Sequence, residues 1–125
     1  MNRRMIRFVH CFGMPLVFGA LITSAFAQPS PPSTFRHQIK PGKIAEECRV
    51  LEAGARVAYR YTASAPVPFN VHFHKGNTVA YPVKIESSAG EDATFTAPSS
   101  EDYCWMWANT GSSVVTVEGS FAARP

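Results

Sequence analysis

The sequence predicts an all-β protein, and two patterns carry this prediction. Between residues 44 and 121, apolar and polar residues alternate in short runs separated by turn-forming segments rich in Gly, Pro, Asn and Ser. Beyond residue 27, no segment repeats its apolar residues with the 3.6-residue period of an amphipathic helix. About seven or eight short strands at this spacing predict an antiparallel β-sandwich of the jelly-roll type, with a barrel as the related alternative.

The first 27 residues have the pattern of a secretory signal peptide. Three arginines precede an apolar stretch, and Ala25-Phe26-Ala27 forms a small-x-small cleavage site. The alternative is an uncleaved membrane anchor, because the apolar stretch approaches the roughly 20 residues that span a bilayer. We expect cleavage, since Pro15 and the Ala-Phe-Ala end favour it. The mature chain, residues 28–125, is then not membrane-spanning and is periplasmic or secreted, in a bacterial envelope.

Charge excludes one class of function. The three arginines of the signal peptide account for the whole net charge of +3, so the mature chain carries equal numbers of basic and acidic residues. A nucleic-acid-binding protein needs a clustered basic face. We therefore expect no nucleic-acid partner.

Two cysteines remain after removal of the signal peptide, because Cys11 leaves with it. Cys48 and Cys104 form an even pair in an oxidising compartment, which predicts one disulfide. A redox-active or metal-binding thiol pair is the alternative, but such pairs usually have the C-x-x-C spacing. A bridge between them closes a loop of about 56 residues, for which the chain-entropy model gives roughly 4 kcal/mol.

We divide the mature chain into a Pro-rich N-terminal spacer, 28–43, and a β-sandwich domain, 44–125. Pro41-Gly42 is a turn signal, and the segment before it is expected to add at most a peripheral strand. Lys75-Gly76-Asn77 predicts the turn of a hairpin. The expected strands of the domain are 44–51, 56–62, 67–74, 78–85, 93–97, 102–108 and 113–121.

The cysteine strands also carry a family resemblance. Tyr103, Cys104 and Asn109 lie in one aromatic strand, and the spacing of Cys104 from Cys48 follows the same pattern. In these residues the chain resembles the GOLD-type β-sandwich of the p24/emp24 cargo-receptor family and of lipid-transfer proteins. Glu101-Asp102 stands where that pattern has Gly. The resemblance implies the sandwich fold and a general binding role, in a bacterial secreted version without coiled coil or transmembrane helix.

Two histidines on one predicted strand are the sharpest candidate for a metal site. His72 and His74 are two residues apart, so both point to the same face of the strand as Asn70. Imidazole suits copper and zinc, and the pair therefore predicts a Cu or Zn site if another ligand joins it. The further ligands that we consider are Asn70, His37, Met106 and Glu86. The alternative is a solvated strand face without metal or cofactor.

The strand 102–108 places aromatic side chains, including Trp105 and Trp107, on one face and Cys104 on the other. If the disulfide lies inside the sandwich, the aromatic side chains face outward and form a ligand surface together with Asn70. If the aromatic side chains are buried, they are core. We expect the buried or half-buried arrangement, because large aromatic residues dominate small β cores.

No motif in the sequence indicates catalysis. A nucleophile elbow, an H-E-x-x-H helix and a Gly-rich phosphate loop are all missing. The sequence therefore predicts an exported, non-enzymatic binding module whose partner is an envelope protein, a lipid or a small ligand. The second hypothesis is a periplasmic copper- or zinc-binding protein that uses His72 and His74.

Overall fold

A computed structural model describes residues 30–125 of the chain, and the predicted signal peptide, 1–27, lies outside this part. The described residues form six β-strands in one sheet, and all strand pairs are antiparallel, which confirms the all-β, antiparallel part of the predicted fold class. The jelly-roll sandwich stays a prediction. In residues 30–125, no helix has the length and apolar character needed to cross a membrane. The strands are β1 Ser33–Ile39, β2 Ile44–Leu51, β3 Arg56–Lys75, β4 Thr78–Thr96, β5 Glu101–Ala108 and β6 Val115–Arg124.

The long hairpin of β3 and β4 organises the sheet. On its other side, β3 pairs with two different strands: residues 56–63 pair with β6, and residues 69–72 pair with β5. The strand order is β1-β6-β3-β5-β2, with β4 against β3. We call β1, β6 and the adjoining parts of β3 and β4 the first half-sheet. We call β2, β5 and the adjoining parts of β3 and β4 the second half-sheet.

The hairpin bends where the two half-sheets meet. Thr62 pairs with Gly90, whereas Val67 pairs with Ser88, so β3 holds extra residues between these two pairs. Extra residues on one strand of a pair bend that strand and increase its twist. The segment 63–66, Ala-Ser-Ala-Pro, forms this bend instead of ending the strand. As a result, the inner faces of the two half-sheets turn toward each other across one core.

The predicted number of strands is wrong for this reason. The segments 56–62 and 67–74 belong to one continuous strand, and so do 78–85 and 93–97. Polar and small residues at the bends give each long strand the appearance of two short ones. The described part of the chain therefore has six strands, whereas the sequence pattern predicted seven or eight.

The sheet also begins earlier than predicted, because β1 lies inside the segment 28–43 that we assigned to a spacer. β1 pairs with β6 over seven residues, and Ile39 is buried. β1 and β2 are edge strands of the two half-sheets, and they approach each other at one side of the core. His37 Nε2 lies 2.8 Å from Glu47 Oε1 across this gap. His37 is therefore held by Glu47 and belongs to the closure of the sheet.

Aromatic side chains from both half-sheets fill the core. Trp107 lies 5.0 Å from Phe35 of β1, and Trp105 lies 5.1 Å from Phe121 of β6, measured between ring centroids. Both Trp side chains are fully buried, as predicted for the aromatic face of β5. The other buried apolar residues are Ile39, Val57, Tyr59, Tyr61, Val67, Phe69, Val71, Phe95, Ala97, Tyr103, Val115 and Val117.

Asn109 ties the end of β5 to two neighbouring segments. Its buried Nδ2 donates to the backbone oxygens of Ile39 and Ser113, both at 2.7 Å, and its Oδ1 accepts from the Gly111 backbone N–H at 2.9 Å. These bonds satisfy an otherwise costly buried amide. The asparagine that contributes to the GOLD-type pattern therefore has a structural role in this chain.

Gly119 allows β6 to lie close to β3. A Cβ atom at this position would lie 2.1 Å from the Arg60 backbone oxygen and 2.8 Å from Phe35 Cζ. We expect Gly119→Ala to lower the free energy of unfolding by roughly 2–3 kcal/mol, since overpacking against backbone forces the strands apart. Urea unfolding measures this change.

The matched control for this prediction is Gly111→Ala. The nearest atom to a Cβ at Gly111 is Asn109 Oδ1 at 3.4 Å, a distance that requires little movement. We expect the control to change stability by less than about 1 kcal/mol. Equal effects of the two substitutions would contradict the close approach of β6 to β3 at Gly119.

Candidate functional site

The predicted disulfide is present and joins two neighbouring strands. Cys48 of β2 is directly opposite Cys104 of β5, with 4.0 Å between their Cα atoms. Cys104 alternates along β5 with the inward-pointing Tyr103 and Trp105, so the disulfide lies on the outer side of the second half-sheet. Cys48 is exposed. The bridge therefore lies outside the core, and the arrangement with an internal bridge is wrong.

We call the outer side of the second half-sheet the disulfide face. Alternation along each strand sends every second side chain to this face, and the pairing of β2, β5, β3 and β4 places those side chains side by side. The residues that define the disulfide face are Ile44, Glu46, Cys48, Val50, Cys104, Met106, Asn70, His72, His74, Val79, Tyr81 and Lys84.

Large apolar side chains stand exposed on this face. Ile44 is 55% exposed and Val50 78%, both on β2, while Val79 is 39% exposed and Tyr81 50%, both on β4. Ile44 and Val50 lie on either side of Cys48 along β2, and Val79 and Tyr81 lie on β4, beyond β5 and β3. Among the described residues, the one other large apolar side chain of comparable exposure is Val114, in the loop before β6. The exposed apolar surface of this protein is therefore concentrated on the disulfide face.

Trp105 and Trp107 are not part of an exposed surface. Both have 0% exposure and point into the core, so their assignment to a ligand surface with Asn70 is wrong. Asn70 does lie on the disulfide face, but it is almost fully buried there. A surface formed by these three residues therefore does not exist in this structure.

His72 is buried although it points outward, with only 5% of its surface exposed. Its Nδ1 lies 2.8 Å from Asn70 Oδ1, and its Nε2 lies 3.6 Å from Glu46 Oε1. The rings of Tyr81 and His74 lie against it, at centroid distances of 5.8 Å and 5.4 Å. Since an amide oxygen only accepts, Nδ1 carries the proton that binds Asn70. Nε2 of the neutral ring is then unprotonated and faces Glu46.

Burial lowers the pKa of His72 below its ordinary value of 6.5; the Glu46 carboxylate acts in the opposite direction, and His74 lowers the pKa further. A histidine with a lowered pKa binds its proton less readily in the folded than in the unfolded chain. The folded state therefore loses stability as the pH falls below about 6.5, the unfolded value.

We expect the free energy of unfolding to decrease between about pH 7.5 and about pH 5, and His72→Gln to make that decrease smaller. Urea unfolding at the two pH values measures the effect. His74→Gln is the matched control, because His74 is exposed on the same strand. A pH dependence that His72→Gln leaves unchanged would show that other groups cause it.

The predicted metal pair remains a prediction. His72 and His74 lie side by side, but within residues 30–125 no third His, Cys, Asp or Glu forms a close ligand group with both of them. Of the further candidates, Asn70 binds His72 and His37 binds Glu47. Met106 lies on the disulfide face opposite Asn70, and Glu86 lies 3.6 Å from Lys84.

The outer side of the first half-sheet has a different chemistry. Arg36 pairs there with Glu118, and Arg60 with Asp92 at 3.1 Å. A groove of about 370 Å³ runs beside Arg60 and Glu118. We call this side the arginine face; its exposed charges make it an ordinary solvated surface and a reference for the disulfide face.

Sequence reasoning did not find Tyr81 or Glu46 as neighbours of His72. Between the pairs Val71–Val83 and Phe73–Ala80, β4 holds one extra residue, so Tyr81 and Pro82 both lie opposite His72. The hairpin register from Lys75–Thr78 to Phe73–Ala80 continues to Tyr81 opposite His72, and Pro82 is the extra residue of the bulge. In the sequence, the bulge is indicated by Tyr81 and Pro82, because two residues separate Ala80 from Val83 where strict alternation would place one.

Two of the solved structures that resemble this chain share most of their own length with it. The first is the Yersinia pseudotuberculosis-derived mitogen (YPM), with a TM-score of 0.57 and 10% identity over 78% of this chain and 88% of the mitogen. The second is Aeromonas hydrophila PliG, a periplasmic lysozyme inhibitor of g-type lysozyme, with a TM-score of 0.56 and 17% identity over 81% of this chain and 93% of the inhibitor. This chain shares their fold.

Sequence comparison adds no family. No protein-family model matches the chain, and no curated protein matches it. The two solved structures are not GOLD-type domains, so the resemblance to the p24/emp24 family stays a prediction. At identities this low, the structural likeness shows the fold alone.

Proposed function

We propose that this chain is an exported, non-enzymatic binding protein and that its partner is another protein, which docks on the disulfide face. The observation that carries the proposal is the grouping of Ile44, Val50, Val79 and Tyr81 around the disulfide. Monomeric proteins rarely expose such groups without an interaction role. Within residues 30–125, the arginine face has no comparable group of exposed apolar side chains.

The dimensions of the disulfide face favour a protein over a small ligand. Four neighbouring strands are about 15 Å wide, and the six-residue step from Ile44 to Val50 is about 20 Å long. An area of this size matches the central part of a protein–protein interface, whose contact surface is roughly 800 Å² on each partner. The disulfide joins the edge strand β2 to β5 and restrains this side of the area.

The compartment and the fold support the same function. A disulfide persists in secreted and periplasmic proteins. One structure with this fold is a periplasmic lysozyme inhibitor and another is a mitogen. We infer a periplasmic or extracellular location for this chain and a protein target there. A g-type lysozyme is the first target to test, by measuring inhibition of its activity.

A photo-crosslinking amino acid in place of Val50 tests the docking face. We expect it to form one adduct of defined protein mass in the envelope of the producing cell, and we expect Tyr81→Ser in the same chain to reduce the yield. The matched control is the same crosslinker in place of Thr94, an exposed position on the arginine face. Equal adducts from both positions, or adducts with lipid alone, would contradict the proposal.

A further inference from the structure

Three residues form a row across the middle of the disulfide face. Cys48 of β2 is opposite Cys104 of β5, and Cys104 is opposite His72 of β3. Side chains directly opposite each other on neighbouring strands lie on the same face, with Cβ atoms about 5 Å apart. Glu46 precedes Cys48 by two residues and points the same way. Two sulfur atoms, one imidazole and one carboxylate therefore occupy one small area.

Three of the four ligand atoms already lie close together, and the fourth, His72 Nε2, is close to one of them. A carboxylate oxygen of Glu46 and the two sulfur atoms all lie within 4.8 Å of one another. Nε2 of His72 lies 3.6 Å from Glu46 Oε1. Zinc holds sulfur at about 2.3 Å and nitrogen or oxygen at about 2.0–2.2 Å, so ligands of one tetrahedral ion lie roughly 3–4 Å apart. His72 is not within 4.8 Å of all three of the other ligand atoms, so the Cys48, Cys104 and Glu46 side chains have to rotate toward its Nε2 once the S–S bond is open.

His72 has the orientation of a metal-binding histidine. Its Nδ1–H donates to Asn70 Oδ1 at 2.8 Å, which leaves the lone pair of Nε2 pointing toward Glu46. A hydrogen bond of this kind on the second ring nitrogen fixes the tautomer and the ring plane of metal ligands.

The disulfide controls whether this group can bind a metal. In the disulfide each sulfur is bonded to the other, and neither is a thiolate, the form that binds zinc. A dithiol reductant breaks the S–S bond: two electrons pass to the protein sulfurs, each sulfur takes up one proton, and the reductant becomes a disulfide. Binding of Zn²⁺ then releases these two protons.

We propose that reduction of the Cys48–Cys104 disulfide creates a zinc site, with Cys48 Sγ, Cys104 Sγ, His72 Nε2 and the Glu46 carboxylate as its ligands. This site differs from a His72/His74 pair because it needs both sulfur atoms and does not use His74. It is independent of the protein partner proposed above. Its position in the centre of the disulfide face connects the redox state of the protein to the surface that a partner would contact.

Cobalt spectroscopy of the purified protein tests the site. The protein is reduced with a dithiol, separated from the reductant without air, and titrated with Co²⁺ and then with Zn²⁺. We expect one Co²⁺ per chain, with the near-ultraviolet thiolate-to-cobalt absorption of a tetrahedral site, and displacement by Zn²⁺. The oxidised protein should show no such band. Zn²⁺ should also raise the unfolding temperature of the reduced protein, because an ion that binds only the folded chain stabilises it.

Variants separate the proposed ligands from their neighbours. Cys104→Ser should abolish the band, and Glu46→Gln and His72→Gln should each lower the affinity for Zn²⁺ by about tenfold or more, at least the loss expected for an outer-shell partner. His74→Gln is the matched control and should leave affinity and spectrum unchanged. The proposal is wrong if the reduced protein shows no thiolate band. It is also wrong if Glu46→Gln and His72→Gln bind Zn²⁺ as tightly as the wild type, or if the reduced protein stays unfolded with Zn²⁺ present.

Discussion

The double variant Cys48→Ala/Cys104→Ala is expected to lose about 4 kcal/mol of unfolding free energy, because the disulfide closes a loop between residues 56 positions apart. Small domains have only about 5–15 kcal/mol in total, so this is the largest effect that we expect from any surface position. The double variant should remain folded at 25 °C and unfold at a much lower urea concentration.

The position of the disulfide makes this measurement clean. Cys48 is exposed, and Cys104 is 9% exposed but lies on the outer face of β5 and outside the core cluster, so alanine at both positions removes little besides the bridge. The lost stability therefore reports the cross-link. Met106→Ala is the matched control, since it truncates a neighbouring side chain on the same face and keeps the bridge; we expect a cost of about 1 kcal/mol. If the double variant loses no more unfolding free energy than Met106→Ala, the cross-link does not constrain the unfolded chain as expected.

The faces of the strands could be predicted from the sequence, because side-chain alternation is local. Val57, Tyr59 and Tyr61 alternate with polar residues, and all three are buried. The disulfide could be predicted as well, since two cysteines allow one intramolecular pairing. These features depend on neighbouring residues or on a count, and they needed no knowledge of the three-dimensional arrangement.

The length of β3 and β4 could not be predicted in this way. Ala63-Ser64-Ala65-Pro66 has the composition of a loop, but backbone pairing with β6 and β4 on its two sides keeps the chain extended up to and beyond it. Tertiary pairing here overrides local preference. The same reason explains β1, whose residues 33–39 follow a Pro-rich segment and form a strand because the edge of β6 is available.

The environment of His72 could not be predicted either. The alternation of β3 places this histidine on the outer face, where a side chain is normally exposed. Its burial comes from Tyr81 of β4 and from Glu46 of β2. The predicted hairpin places β4 beside β3, but nothing in the sequence places β2 near it. The candidate site therefore depends on a strand order, β3-β5-β2, that arises from non-local contacts.

Trp105→Ala is the second large effect that we expect, at roughly 3–5 kcal/mol of unfolding free energy. The indole is fully buried and lies 6.0 Å from Tyr59, 5.5 Å from Phe95 and 5.1 Å from Phe121, measured between ring centroids. These residues belong to β3, β4 and β6. Truncation therefore leaves a cavity between the two half-sheets, and the surrounding strands cannot close it without moving apart from their own partners.

Trp105→Phe separates packing from hydrogen bonding at this position. The indole Nε1 is buried and has no hydrogen-bond partner in the described part of the chain, so phenylalanine removes an unsatisfied donor while it keeps an aromatic ring. We expect its cost in urea unfolding to be well below that of alanine. Trp105→Ala should lower the crosslinking yield at Val50 only in proportion to the fraction of the protein that is unfolded. A stable Trp105→Ala protein that no longer crosslinks would instead place Trp105 in a contact surface and would contradict a core position for β5.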